Sequence, residues 1–98
     1  MENGFDLIMK ISIVIPTFNE EESISDLYLE ICDAVSGNDD WEIIFVDDGS
    51  SDGSKGEIEK IISKDSKVKL ISFYRNFGKS AALSEGFKHS KGNVIITM

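Results

Sequence analysis

The chain alternates between short apolar runs and longer segments whose apolar residues recur at helical spacing. Ile11-Ser12-Ile13-Val14-Ile15 predicts a first strand over 11–15, stopping at Pro16 because proline brings no amide to a central ladder. Ile24, Leu27, Tyr28, Ile31 and Val35 then share one helical face, and Gly37-Asn38 closes that helix. Asn19, with Glu22 three residues later, has the form of its cap, and Glu20, Glu21 and Glu22 suit the positive end of its dipole. Trp41 to Val46 predicts a second strand whose run Ile43-Ile44-Phe45-Val46 requires cover on both faces. Ile58, Ile61 and Ile62 mark a short second helix starting near Ser54. Val68 to Phe73 predicts a third strand, mixed enough for a sheet edge, with Val68, Leu70 and Phe73 on one face. Residues 80–90 carry Ala81, Ala82, Leu83, Gly86 and Phe87 in helical arrangement, the small ones permitting close approach to a sheet. Asn93 to Met98 predicts a fourth strand.

The order β-α-β-α-β-α-β with short connections predicts an α/β fold: a parallel sheet of about four strands, three helices and right-handed crossovers. Ninety-eight residues limit the chain to one small domain or part of one. Residues 1–8 show no clear period and are assigned to an extension without a functional role; residues 9–98 carry the pattern. The last strand would deliver the chain into a ligand crevice as it stops, so the sequence reads as the amino-terminal piece of a longer enzyme.

Composition narrows the function. Eighteen acidic against ten basic residues give a net charge of −8, which argues against nucleic acid as a partner. Cys32 is the single cysteine, so an internal disulfide is excluded, and its place beside the apolar helical face predicts a small buried hydrophobe. No stretch approaches the roughly 18 apolar residues of a membrane helix, and the amino terminus lacks a leader pattern, which predicts a soluble, cytoplasmic chain. The fourth strand would expose an apolar edge, through which the piece is expected to self-associate.

Candidate chemistry lies where parallel strands end. Pro16-Thr17-Phe18-Asn19-Glu20, Asp47-Asp48-Gly49-Ser50 and Arg75-Asn76-Phe77-Gly78-Lys79 all leave the same edge of the sheet. Asp47, Asp48 and Glu20 offer acceptors for a base or ribose hydroxyls, and Arg75 and Lys79 can offset diphosphate charge. Asp before Gly-Ser is also a common way to leave a strand, and Arg75 or Lys79 alone would read as a solvated charge. Gly78-Lys79-Ser80 is not a Walker A loop, since the earlier glycine position holds Phe73. No Gly-x-Gly-x-x-Gly follows the first strand, and His89, the single histidine, suits a helix C-terminus.

Four motifs in order, Ile13-Val14-Ile15-Pro16-Thr17-Phe18-Asn19-Glu20-Glu21, Val46-Asp47-Asp48-Gly49-Ser50-Ser51-Asp52, Arg75-Asn76-Phe77-Gly78-Lys79 and Gly92 to Met98, carry a resemblance over residues 9–98. The chain resembles the amino-terminal half of a family 2 glycosyltransferase with the Rossmann-like GT-A fold, in the branch of dolichyl- or polyprenyl-phosphate sugar transferases. The resemblance implies that Pro16, Thr17 and Glu20 line a nucleotide pocket, that Asp47 meets the base, and that Asp48 lies near the ribose. It also implies that Arg75 and Lys79 approach the diphosphate; Asp52 matches the acidic residue after the Gly-Ser turn, where a loop-ordering or capping role and ligand contact are both open. The implied donor is a nucleoside-diphosphate sugar and the implied acceptor polyprenyl phosphate, at the cytoplasmic membrane face. Mg²⁺ or Mn²⁺ would bind an Asp-x-Asp motif expected beyond Met98, so residues 1–98 alone are expected to be inactive. The alternative is a non-catalytic nucleotide-binding module. A response-regulator-like domain fits less well, because its acidic pair should follow the first strand, where Pro16-Thr17 stands.

Overall fold

The most apolar run of the sequence lies at the centre of the sheet. In a computed structural model that describes residues 10–38 and 40–97, β2 (Trp41–Asp47) lies between β1 (Ile11–Thr17) and β3 (Val68–Ser72). β4 (Val94–Thr97) pairs with the far side of β1, giving a parallel four-stranded sheet of order β3-β2-β1-β4. The proposed extension at 1–8 lies outside the described residues, as do Asp39 and Met98. Ile43, Ile44, Phe45 and Val46 are wholly buried because β2 has strands on both sides and helices on both faces.

Strand parity assigns those faces. Ile13, Ile15, Ile43, Phe45 and Val68 pack with Ile24 and Ile31 of α1 (Ile24–Ala34) and Ile58 of α2 (Ser54–Ile62). Val14, Ile44 and Val46 pack on the other face with Ala82 of α3 (Lys79–His89). Gly86 faces Val14 and Val46 so closely that a methyl group there would overlap Val14, as the small-residue pattern anticipates. β3 occupies the expected edge, but Phe73 does not share a face with Val68 and Leu70: it lies with Ile71 on the α3 side. Cys32 is half-buried rather than buried.

Two local expectations are corrected. β1 continues through Pro16 to Thr17, with Pro16 opposite Val46. The carbonyl of Thr17 accepts from the Asp48 amide on the β2 side, so the nitrogen of Pro16 faces the β4 side, where the pairing among the described residues reaches only Val14, and no ladder hydrogen bond of those residues needs a Pro16 amide. Asn19 does not cap α1, which begins at Ile24 after Ser23; Asn19 adopts φ 52° and turns its side chain toward Ser51 and Asp52.

At the opposite edge of the sheet, a buried polar knot fixes the strand entrances. Glu42 accepts from Ser12 Oγ at 2.6 Å, from Lys69 Nζ at 2.7 Å and from the Lys91 amide at 2.7 Å. Ser12 Oγ in turn accepts from the Gly92 amide at 2.8 Å. Burial pushes the Glu42 carboxyl up, but the hydrogen bonds and the Lys69 charge outweigh it and hold it down at about 2. β1, β2, β3 and the turn into β4 are thereby tied together.

Candidate functional site

Parallel strands release their loops at one edge, and here the loops bind one another. Asp48, just past β2, is buried and accepts from the Phe77 amide at 2.7 Å, the Gly78 amide at 3.0 Å and Asn76 Nδ2 at 3.1 Å. Gly78 is the N-cap position of α3 and Phe77 the residue before it, so Asp48 supplies from another strand a carboxylate at a helix start that has no side-chain cap of its own. Gly49, at φ 74°, lies against the Arg75–Asn76 peptide with no room for a side chain. The loops after β2 and β3 therefore form one unit.

Asp47, 2% exposed, accepts at Oδ1 from the Ser50 hydroxyl. Its Oδ2 has no protein donor among the described residues. Ser50 Oγ accepts from the Asn19 amide at 2.9 Å, and Asn19 Oδ1 accepts from the amides of Ser51 at 2.9 Å and Asp52 at 3.3 Å. A second tie runs alongside. The Glu20 amide donates to Ser54 Oγ at 2.8 Å, and Ser54 donates to Asp52 Oδ1 through both its hydroxyl and its amide. These bonds, the Ser54 hydroxyl foremost, hold the Asp52 carboxyl below its ordinary range. Asp52 thus orders the loop.

Between the loops lies an open cavity of about 340 Å³ lined by Pro16, Thr17, Phe18, Glu20, Asp48 and Lys79. Five residues singled out in the sequence, Pro16, Thr17, Glu20, Asp48 and Lys79, come together there. Asp47 does not line the cavity but lies buried beside Asp48. Arg75 is outside it, its guanidinium 4.4 Å from the ring centre of Phe77 and 5.7 Å from that of Tyr74. Phe18, 46% exposed, is a lining residue the sequence reading left in an exit loop; Asn19, Ser50 and Asn76 were missed as braces. Asn19 carried a usable signal, since asparagine tolerates a left-handed backbone and loop crosslinks as well as helix caps.

Among the described residues no group of three or more His, Cys, Asp or Glu side chains is placed to hold a metal ion. Asp47 is engaged by Ser50, and Asp48 by the 76–78 loop. No helix among the described residues is long and apolar enough to cross a membrane.

This parallel α/β arrangement is shared with known transferases. Residues 12–98 match the profile of glycosyl transferase family 2, and the chain belongs to that family. It is 41% identical over 95 residues to an undecaprenyl-phosphate 4-deoxy-4-formamido-L-arabinose transferase of Salmonella choleraesuis (strain SC-B67), covering 93% of this chain and 28% of that protein. The chain therefore spans less than a third of the length of this curated relative. Among solved structures, the mannosyltransferase PcManGT from Pyrobaculum calidifontis, in complex with GDP-Man and Mn²⁺, superposes with a TM-score of 0.82 at 22% identity. That match covers 92% of this chain and 27% of the other. Glucosyl-3-phosphoglycerate synthase from Mycobacterium tuberculosis, in complex with Mn²⁺, UDP and glucosyl-3-phosphoglycerate, superposes at 0.71 and 22% identity, covering 92% and 33%. The likeness to these structures establishes the GT-A type of fold.

Proposed function

We propose that this chain is the nucleotide-binding half of a glycosyltransferase that moves a sugar from a nucleoside-diphosphate donor to polyprenyl phosphate at the cytoplasmic face of the membrane. The observation that carries the nucleotide reading is the cavity itself: an exposed aromatic ring, two carboxylates and an ammonium group converge at the carboxyl edge of a parallel sheet. Phe18 offers a stacking surface for a base, and base–aromatic stacking contributes about 1–3 kcal/mol. Pro16 and Thr17 form the wall beside it. Asp47 meets the base through Oδ2, the oxygen without a donor among the described residues. Asp48 keeps acceptor capacity at Oδ1 for a ribose hydroxyl beyond the Phe77 amide, and Glu20 lies across the cavity from it. Lys79, without an ion-pair partner among the described residues, faces the diphosphate; Arg75 joins it by leaving its stack on Phe77.

The acceptor assignment rests on the curated relative, named for transfer to undecaprenyl phosphate. In this proposal a divalent cation of the parent transferase takes its ligands from outside residues 10–97. Residues 1–98 bind the nucleotide without turning over a sugar donor, and copies associate through the open edge of β4. Titration with UDP and GDP, comparing wild type with Asp47→Ala, tests the site. Affinity falls at least tenfold for one of the two if Asp47 meets the base, and equal binding by both proteins removes Asp47 from it.

A further inference from the structure

We infer that Ser50 is a positioning residue for nucleobase discrimination, acting by fixing the Asp47 carboxylate, with Asn19 as its brace. This rests on the nucleotide reading above. An aspartate carboxylate turns about its last torsion over a broad two-fold well, so burial alone does not decide which oxygen is free. Here the Ser50 hydroxyl donates to Oδ1, and no group among the described residues donates to Oδ2. Ser50 Oγ also accepts from the Asn19 amide, so its one proton is directed at Asp47. Asn19 in turn holds φ 52° while its side-chain oxygen receives the Ser51 and Asp52 amides. The brace closes on itself: the first loop orients Ser50, and the second loop orients Asn19.

The consequence is chemical. One oxygen of Asp47 is spoken for, and the other is a fixed acceptor that cannot donate while ionised. A fixed lone acceptor favours a base presenting an imide N–H, as uracil and guanine do. It disfavours cytosine and adenine, whose corresponding ring nitrogen carries only a lone pair. A site built around one buried hydrogen bond rejects partners that cannot complete it more sharply than an apolar site does. Losing Ser50 frees the carboxylate to turn, and discrimination falls while contacts to the diphosphate persist.

The test is the ratio of dissociation constants for UDP against CDP and for GDP against ADP, with inorganic pyrophosphate as a base-free control. Ser50→Ala lowers the larger ratio by about tenfold, the worth of one net hydrogen bond. Pyrophosphate binding is unchanged, and Ser50→Thr, which keeps a hydroxyl, restores the ratio. Asn19→Gly, which keeps the left-handed backbone and deletes the side-chain acceptor, lowers the ratio in the same direction with Ser50 and Asp47 intact. A Ser50→Ala ratio equal to wild type, while Asp47→Asn abolishes the preference, overturns the positioning role and leaves the nucleotide reading standing. Parallel weakening of every ligand by Ser50→Ala also overturns it, since that is a general structural effect. A wild-type protein that binds all four alike overturns the discrimination role and leaves nucleotide binding standing, whereas one that binds no nucleotide overturns both.

Discussion

The carboxylate of Asp48 and the amide of Phe77 meet at 2.7 Å across 29 residues of chain. The exit of the central strand thereby caps the helix that begins after the next strand. Gly78 and Asn76 complete the cap on the other carboxylate oxygen. Removing the carboxylate leaves two backbone donors and an amide side chain without it at a place partly shielded from water. Asp48→Ala is expected to cost about 1.5–3 kcal/mol, the range for a hydrogen bond to a charged group. Urea unfolding measures the loss, and hydrogen exchange should show it concentrated at the Phe77 and Gly78 amides. A loss spread evenly over the sheet would contradict the capping role.

Much of this architecture was legible because burial and spacing act locally. The run Ile43 to Val46 demanded cover on both faces and has it, and the small residues of α3 announced a close approach that Gly86 makes against Val14. The site was legible only in part. Five of the seven proposed residues meet in one cavity because parallel topology gathers strand ends, a property of the connection pattern rather than of any side chain. Which side chains point inward was not legible, since that depends on contacts between loops about 30 residues apart. Arg75 is the example: its charge suited a diphosphate, but its neighbours Tyr74 and Phe77 supply rings on which the guanidinium stacks. Asn19 failed differently, because one local pattern fits both a helix cap and a crosslink between loops.

Glu42 makes stability depend on acid. Its folded carboxyl lies at about 2 against an ordinary 4.5, so the folded state binds this proton less readily than the unfolded chain. The stabilisation is present above pH 4.5 and is lost as pH falls from there to about 2. The full difference is roughly 3 kcal/mol at 1.36 kcal/mol per pKa step. Glu42→Gln should be less stable than wild type at neutral pH and should flatten this acid limb. Equal pH slopes for the two proteins between pH 5 and 2 would show that the knot with Ser12, Lys69 and Lys91 is not coupled to folding.

Among the described residues β4 has no partner on its outer edge, and Ile95 and Ile96, each 44% exposed, stand on its two faces. Ile96 also borders a groove of about 630 Å³ that includes Ile11, Ile13, Ile31 and Val35. Exposed strand edges with apolar side chains pair with other chains, and charge on the strand suppresses this. The 98-residue chain is expected to show concentration-dependent dimers by sedimentation, and Ile96→Lys to shift it toward monomer. A monomer throughout the concentration series would remove the edge as an association surface.

Phe18 and Lys79 stand on the same cavity with different chemistry, so their losses should separate. Phe18 presents a neutral ring that can gain from a base but not from phosphate charge. Its removal should weaken uridine and UDP alike, by about 5- to 150-fold if the stacking worth of about 1–3 kcal/mol applies. Lys79→Ala removes a positive charge that a nucleoside without phosphate does not need. It should weaken UDP while leaving uridine nearly unchanged, and the difference should shrink as salt rises, because an exposed charge is screened. Calorimetric titration of both ligands against both variants gives the comparison directly. A Lys79 variant that loses uridine as strongly as UDP would place that side chain against the base, reversing the orientation of the nucleotide proposed for this cavity.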